Sequence, residues 1–118
     1  MRACIKSGLA VIIENPATSR LWLLPELKKL EQQYRGLTSL ADFCGYGTPW
    51  RKRTRFMYWN LPQMEFKRCS GMGICSYSHR KHIILQGKDP SGVFYTRRAQ
   101  AYPVPMCDTL AADVLARR

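Results

Sequence analysis

The segment Leu9-Ala-Val-Ile-Ile-Glu-Asn-Pro16 is a short apolar run that ends in a polar turn. A run of this length, rich in β-branched residues, predicts a buried strand of a parallel sheet. Pro16 cannot donate a ladder hydrogen bond and predicts the end of the strand. The segment therefore indicates an α/β protein, with Glu14 just beyond the strand, where open α/β sheets bind their ligands.

Helices and further strands are predicted on the C-terminal side of this segment. Pro25 and Glu26 favour a helix start, and an apolar stripe predicts a helix near 25–35, its members being Leu24, Leu27, Leu30 and Tyr34. Apolar runs predict strands over 37–44, 55–59 and 83–85. A second stripe predicts a C-terminal helix and comprises Cys107, Leu110, Ala111, Val114 and Leu115.

These elements predict one partial domain over residues 1–118, with about three or four strands and two or three helices. The sheet and helix core is expected over 9–60 and 93–115. An irregular insertion rich in Cys, His and Gly is expected over 61–92. The fold class is therefore α/β, with too few elements for a complete doubly wound sheet.

The composition is strongly basic, with 19 Lys and Arg against eight Asp and Glu and a net charge of +11. Such a charge favours DNA or RNA as a partner, because neutralising phosphates releases counterions. The alternative is a basic protein with no nucleic-acid role. No apolar run approaches the ~20 residues of a membrane span, so no membrane association is predicted. Five cysteines without dense spacing favour reduced thiols and an intracellular location.

A basic and aromatic cluster follows the turn at 45–49 and is the candidate nucleic-acid contact. Alternate arginines on one face of a strand can bind phosphates or base edges with bidentate geometry, and an aromatic ring can stack on a base. The alternative is a solvated basic edge that protects the sheet from aggregation. The residues concerned are Trp50, Arg51, Lys52, Arg53 and Arg55.

Four candidate zinc ligands lie within the irregular insertion. Cys69, Cys75, His79 and His82 have the spacing C-x5-C-x3-H-x2-H, and together they supply the ligand types of a tetrahedral site. The spacing differs from that of common zinc sites. The alternative is a set of buried thiols and surface histidines without metal.

Three segments, taken in order, resemble the later motifs of the cytosine carbon-5 DNA methyltransferases, including divergent phage-like and protist members. Ile13-Glu-Asn-Pro16 is similar to the family's Glu-Asn-Val motif. Tyr46-Gly-Thr-Pro-Trp-Arg-Lys-Arg-Thr-Arg-Phe56 resembles its Tyr-Gly-Val-Pro-Gln-x-Arg-x-Arg-Val-Phe stretch, with one extra residue after Pro49. Gln100-Ala-Tyr-Pro-Val-Pro-Met-Cys-Asp-Thr-Leu-Ala111 is similar to its last motif, with Ala99-Gln100 in place of Gly-Asn.

The resemblance implies part of a Rossmann-like methyltransferase sheet and S-adenosylmethionine as the methyl donor. It implies that Glu14 activates a flipped-out cytosine and that Arg53 and Arg55 hold the base. It also implies that Gln100 and Tyr102 border the donor pocket.

Two features of the family are missing from this sequence. No cysteine follows a proline, although the family's nucleophile lies in a Pro-Cys loop, and no glycine-rich donor loop precedes Leu9. We therefore expect the C-terminal part of a methyltransferase-like protein that is inactive as this chain. Its origin is a truncated gene, a partial gene model or a split protein in which a second chain supplies the N-terminal half. The alternative function is a small basic DNA- or RNA-binding module, stabilised by zinc and without catalysis.

Overall fold

The computed structural model describes residues 1–71 and 73–116. The described residues form three strands, four α-helices and two short 3-10 helices, the latter at Arg20–Leu23 and Phe43–Tyr46. The strands are β1 Val11–Pro16, β2 Leu37–Asp42 and β3 Arg53–Trp59; the α-helices are α1 Arg2–Lys6, α2 Pro25–Gln33, α3 Tyr95–Arg98 and α4 Val104–Ala116. The predicted α/β class is thus confirmed.

The sheet has the order β1-β3-β2, and both of its pairings are antiparallel. The prediction of a parallel, Rossmann-like sheet is therefore wrong for the described residues. The connection 43–52 is too short for the crossover that a parallel pair requires, so β3 returns antiparallel beside β2. Residues 17–36 contain α2 and carry the chain back, so β1 and β2 run in the same direction with β3 inserted between them.

Local sequence signals predict some element boundaries and not others. The prediction that Glu14 lies beyond the first strand is wrong, because β1 continues through Glu14 to Pro16, where both residues still pair with β3. The predicted helix over 25–35 begins at Pro25, and the Ser19 hydroxyl accepts a hydrogen bond from the Leu21 N–H at the preceding 3-10 helix. The strand predicted over 83–85 is absent: these described residues lie outside every strand. Two isolated antiparallel β-bridges involve the described residues of the insertion 61–92. One joins Ile74 to Lys81, and the other joins Lys88 to Phe94, which lies just after the insertion.

The two faces of β3 are both buried, which makes this strand the centre of the molecule. Met57 and Trp59 pack with Trp22 and Leu27 on the face that α2 covers. The opposite face carries Phe56 and Tyr58 and packs against α4 and the 3-10 helix at Phe43–Tyr46. Burial of large side chains on both faces supplies most of the hydrophobic stabilisation available to so short a chain.

Helix α4 contacts the core through Met106 and through two members of the predicted stripe, Leu110 and Val114. Met106 is fully buried, and Leu110 and Val114 pack against the same cluster. Cys107, Ala111 and Leu115, which the prediction placed in the stripe, are exposed. In the part of the chain that the structure describes, no helix has the length and apolar character to cross a membrane.

Candidate metal centre

Four side chains from two separate parts of the chain converge on one point. Cys44 lies in the 3-10 helix after β2, and Cys69, Cys75 and His82 come from the insertion. Their ligand atoms all lie within 4.8 Å of one another. The three thiols are buried and His82 is half-buried, so the cluster is shielded from bulk water.

The geometry fits a tetrahedral zinc ion. Ligands at the usual Zn–S and Zn–N distances of about 2.3 and 2.0 Å are separated from each other by about 3.5–3.8 Å. The Cys69 Sγ lies 3.6 Å from the His82 Nε2, within that range. Three thiolates and one imidazole form a donor set found in closed structural zinc sites. The residues present therefore supply a donor set that suits zinc, with ligand atoms that all lie within 4.8 Å of one another.

Three of the four predicted ligands, Cys69, Cys75 and His82, lie in this cluster. His79 is exposed and lies outside the cluster, with a φ of 60° that places it in a left-handed turn. Its N–H donates to the Cys75 carbonyl at 2.9 Å, so His79 closes the turn between two ligands instead of coordinating. Cys44 takes its place. The sequence feature that could have pointed to Cys44 as a ligand is its position at the end of a predicted strand, directly before Gly45-Tyr-Gly47.

Backbone hydrogen bonds hold the ligand loop in shape. The Cys75 N–H donates to the Arg80 carbonyl at 2.8 Å, and the His82 N–H donates to the Gly73 carbonyl at 2.8 Å. A Cβ added to Gly71 would lie 1.7 Å from the Ile74 carbonyl oxygen, so no other residue fits there without moving the backbone. The loop therefore presents Cys75 and His82 on the same side.

Hydrogen bonds to sulfur favour thiolates at two of the three cysteines. Burial raises the pKa of Cys69, but hydrogen bonds from the Ser76 hydroxyl and N–H outweigh it and bring the pKa to about 7. Burial also raises the pKa of Cys75, but hydrogen bonds from the N–H groups of Ser78 and Tyr77 outweigh it and bring the pKa to about 6. Burial and the neighbouring sulfurs raise the pKa of Cys44. Because zinc binds thiolates, the first two cysteines are prepared to coordinate at neutral pH.

A buried carboxylate supports the centre from β2. Asp42 is fully buried and accepts two hydrogen bonds of 2.9 Å from the Arg53 guanidinium and one of 2.6 Å from the Cys69 N–H. Arg51 donates to the Cys69 carbonyl at 3.2 Å. Asp42 thus ties a metal ligand to the end of the sheet, as carboxylates commonly do behind metal sites. Arg53 and Arg51, predicted to contact nucleic acid, are engaged in this network.

The remaining predicted site residues lie in two separate places. Arg53 and Arg55 share one face of β3, whereas Glu14 pairs with Phe56 and so faces the other side of the sheet. The Arg55 guanidinium lies 4.8 Å from the Trp22 ring centroid and 3.8 Å from Glu31. The structure therefore does not bring Glu14 together with the two arginines.

Glu14 instead meets residues of the two other segments that carry the resemblance. The Tyr102 hydroxyl donates to the Glu14 carboxylate. Burial raises the pKa of Glu14, and the positive charge of Lys52 opposes that shift. The Lys52 Nζ donates to the Ala99 carbonyl at 2.6 Å and lies 5.0 Å from the Phe43 ring centroid. Trp50 packs against the core, and Gln100 is exposed.

Comparisons with family models, curated proteins and solved structures found no match to this chain. The site must therefore be interpreted from its own chemistry. A closed set of three thiols and one imidazole leaves no open coordination position for a substrate or water. Zinc bound there would be structural, and it would join the insertion to the sheet.

Proposed function

We propose that this chain is a zinc-stabilised module that binds nucleic acid. The convergence of Cys44, Cys69, Cys75 and His82 carries this proposal. Residues 61–92 contain few regular elements and cannot bury a core of their own. A metal ion that joins them to the 3-10 helix after β2 gives this segment a defined conformation, as zinc does in other small domains.

The charge of the zinc-bound segment supports nucleic acid as the partner. Residues 67–88 include no Asp or Glu and carry five basic residues, Lys67, Arg68, Arg80, Lys81 and Lys88. This concentration lies in a chain that is already +11 overall. An ordered, strongly cationic loop is the electrostatic requirement for contact with phosphates.

Binding to DNA should weaken steeply with salt and should depend on the metal. We expect the zinc-loaded protein to bind a labelled duplex, with an affinity that falls by about 10³ or more between 50 and 200 mM salt if six phosphates are contacted. Fluorescence anisotropy across a salt series measures this, with a single strand and an RNA duplex as comparisons. Unchanged binding after zinc removal by a chelator would contradict the proposed role of the metal.

A second candidate function is the C-terminal part of a cytosine methyltransferase-like protein. One observation favours it: Glu14, Lys52 and Tyr102 come from the three segments that carry the resemblance, and the fold brings them together. A carboxyl group with a raised pKa at such a point is suited to protonating a cytosine ring. The charge on Lys52 and the hydroxyl of Tyr102 orient that carboxyl group.

This candidate predicts no methyl transfer by the isolated chain, because the sequence has no Pro-Cys nucleophile. The assay incubates the pure protein with labelled S-adenosylmethionine and cytosine-containing duplex, with an active carbon-5 methyltransferase as positive control. Transfer of label to cytosine by the chain alone would contradict the prediction.

A further inference from the structure

A surface groove of about 530 Å³ lies beside the metal cluster. One wall is the turn Gly47, Thr48 and Pro49, and the other is the loop that carries Ser78, Arg80, Lys81 and Ile83. None of these lining residues is acidic or aromatic. The groove is distinct from the four metal ligands and from the site around Glu14.

Both walls of the groove are attached to metal ligands. The Gly47 N–H donates to the Cys44 carbonyl at 3.4 Å, which joins the first wall to that ligand. The Arg80 carbonyl accepts from the Cys75 N–H at 2.8 Å, which joins the second wall to another. The Ile83 N–H donates to the Pro49 carbonyl at 2.9 Å and connects the walls to each other. A metal ion that holds Cys44 and Cys75 together would therefore act with this hydrogen bond to fix the two walls relative to each other.

The groove is electropositive. Arg80 and Lys81 are exposed, and neither forms an ion pair with the described residues. The Ser78 hydroxyl accepts a hydrogen bond from the Arg80 N–H at 3.2 Å and keeps its own hydrogen for a ligand, whereas the Thr48 hydroxyl donates to the Trp50 carbonyl at 2.7 Å. Two cations and one hydroxyl donor, with no acidic residue in the lining, suit phosphate oxygens, because charge-assisted hydrogen bonds to phosphate are strong.

We infer that this groove binds the sugar–phosphate backbone of a nucleic acid strand. The inference rests on the proposed nucleic-acid-binding function and names its contact surface. Phosphates dominate the contacts, because the lining offers no aromatic face on which a base could stack. Contacts of this kind position a protein on nucleic acid without reading its sequence. The groove therefore supplies affinity that is independent of sequence.

The test compares two double variants of the zinc-loaded protein that change the net charge equally. Arg80→Ala with Lys81→Ala removes the groove cations, and Lys28→Ala with Lys29→Ala removes an exposed pair from α2. We expect the groove variant to bind a labelled 20-base-pair duplex about 10-fold or more weakly and to lower its salt slope by about 1.8. The α2 variant should lose less than about 3-fold, since distant exposed charges are screened.

The outcomes separate the inference from the proposed function. No binding by the wild-type protein overturns both. Equal losses in the two double variants overturn the groove and leave general electrostatic binding in place. Polyglutamate or anionic vesicles that compete as well as DNA at equal charge overturn nucleic acid as the occupant. Free nucleotide that competes at micromolar concentration overturns the assignment to a strand. One zinc per chain in every variant shows that the fold is intact.

Discussion

Replacing Cys44 with serine should weaken zinc binding by about 100-fold or more, whereas His79→Asn should leave the affinity unchanged. Structural zinc sites in small peptides contribute about 10–16 kcal/mol through four ligands, so losing one ligand should cost roughly 3 kcal/mol. That cost corresponds to a loss of affinity of about 100-fold or more. The pair of variants is decisive because the C-x5-C-x3-H-x2-H spacing favours His79, whereas the structure places Cys44 in the cluster.

Two measurements test this prediction in both variants: the zinc content per chain and the visible spectrum of the Co²⁺-substituted protein. Asparagine is the matched replacement at position 79, because it tolerates the left-handed backbone that His79 adopts with a φ of 60°. Cys44→Ser should also lose the thermal stability that a chelator removes from the wild-type protein. Normal zinc content in Cys44→Ser, together with loss in His79→Asn, would show that the ligand set is the one predicted from spacing.

Replacing Asp42 with asparagine should destabilise the protein strongly, although it removes no metal ligand and changes the side-chain volume little. Its carboxylate is fully buried and accepts hydrogen bonds from two nitrogens of the Arg53 guanidinium and from the Cys69 N–H. Removing one partner of a buried ion pair costs about 3–5 kcal/mol, and the partial exposure of Arg53 reduces this to about 2–4 kcal/mol. A loss of that size lowers the melting temperature of a domain of this length by roughly 10 °C or more.

Urea and thermal unfolding of the zinc-loaded protein measure the effect, with Glu31→Gln as the control. Glu31 pairs with Arg55 at 3.8 Å, and both side chains are about one-third exposed, so its loss should cost less than about 1 kcal/mol. Asp42→Asn should also weaken zinc binding by about 10- to 100-fold, as changes behind metal ligands do. Equal stability losses in the two variants, or unchanged zinc affinity in Asp42→Asn, would contradict the role assigned to Asp42.

Local signals in the sequence predicted the individual elements better than their arrangement. Pro25 and the stripe through Leu27 and Leu30 predicted α2, because helix starts and apolar periodicity are local properties. The parallel direction predicted for the strands is wrong, because a short apolar run rich in β-branched residues occurs in antiparallel sheets as well as in parallel ones. That run lies in β1, an edge strand with no buried residue, whereas the strand that is buried on both faces is β3.

The amino-acid sequence by itself determined the charge, the approximate positions of α2, α4 and the three strands, and the supply of thiols and imidazoles for a metal. The tertiary structure decided which of those groups meet. Cys44 joins Cys69 because β2 ends beside the insertion and Asp42 binds the Cys69 N–H. The spacing of candidate ligands along the sequence indicates which of them are close in space only when they belong to one continuous segment. Coordination requires proximity between segments, which depends on strand order and on buried hydrogen bonds that no local pattern records.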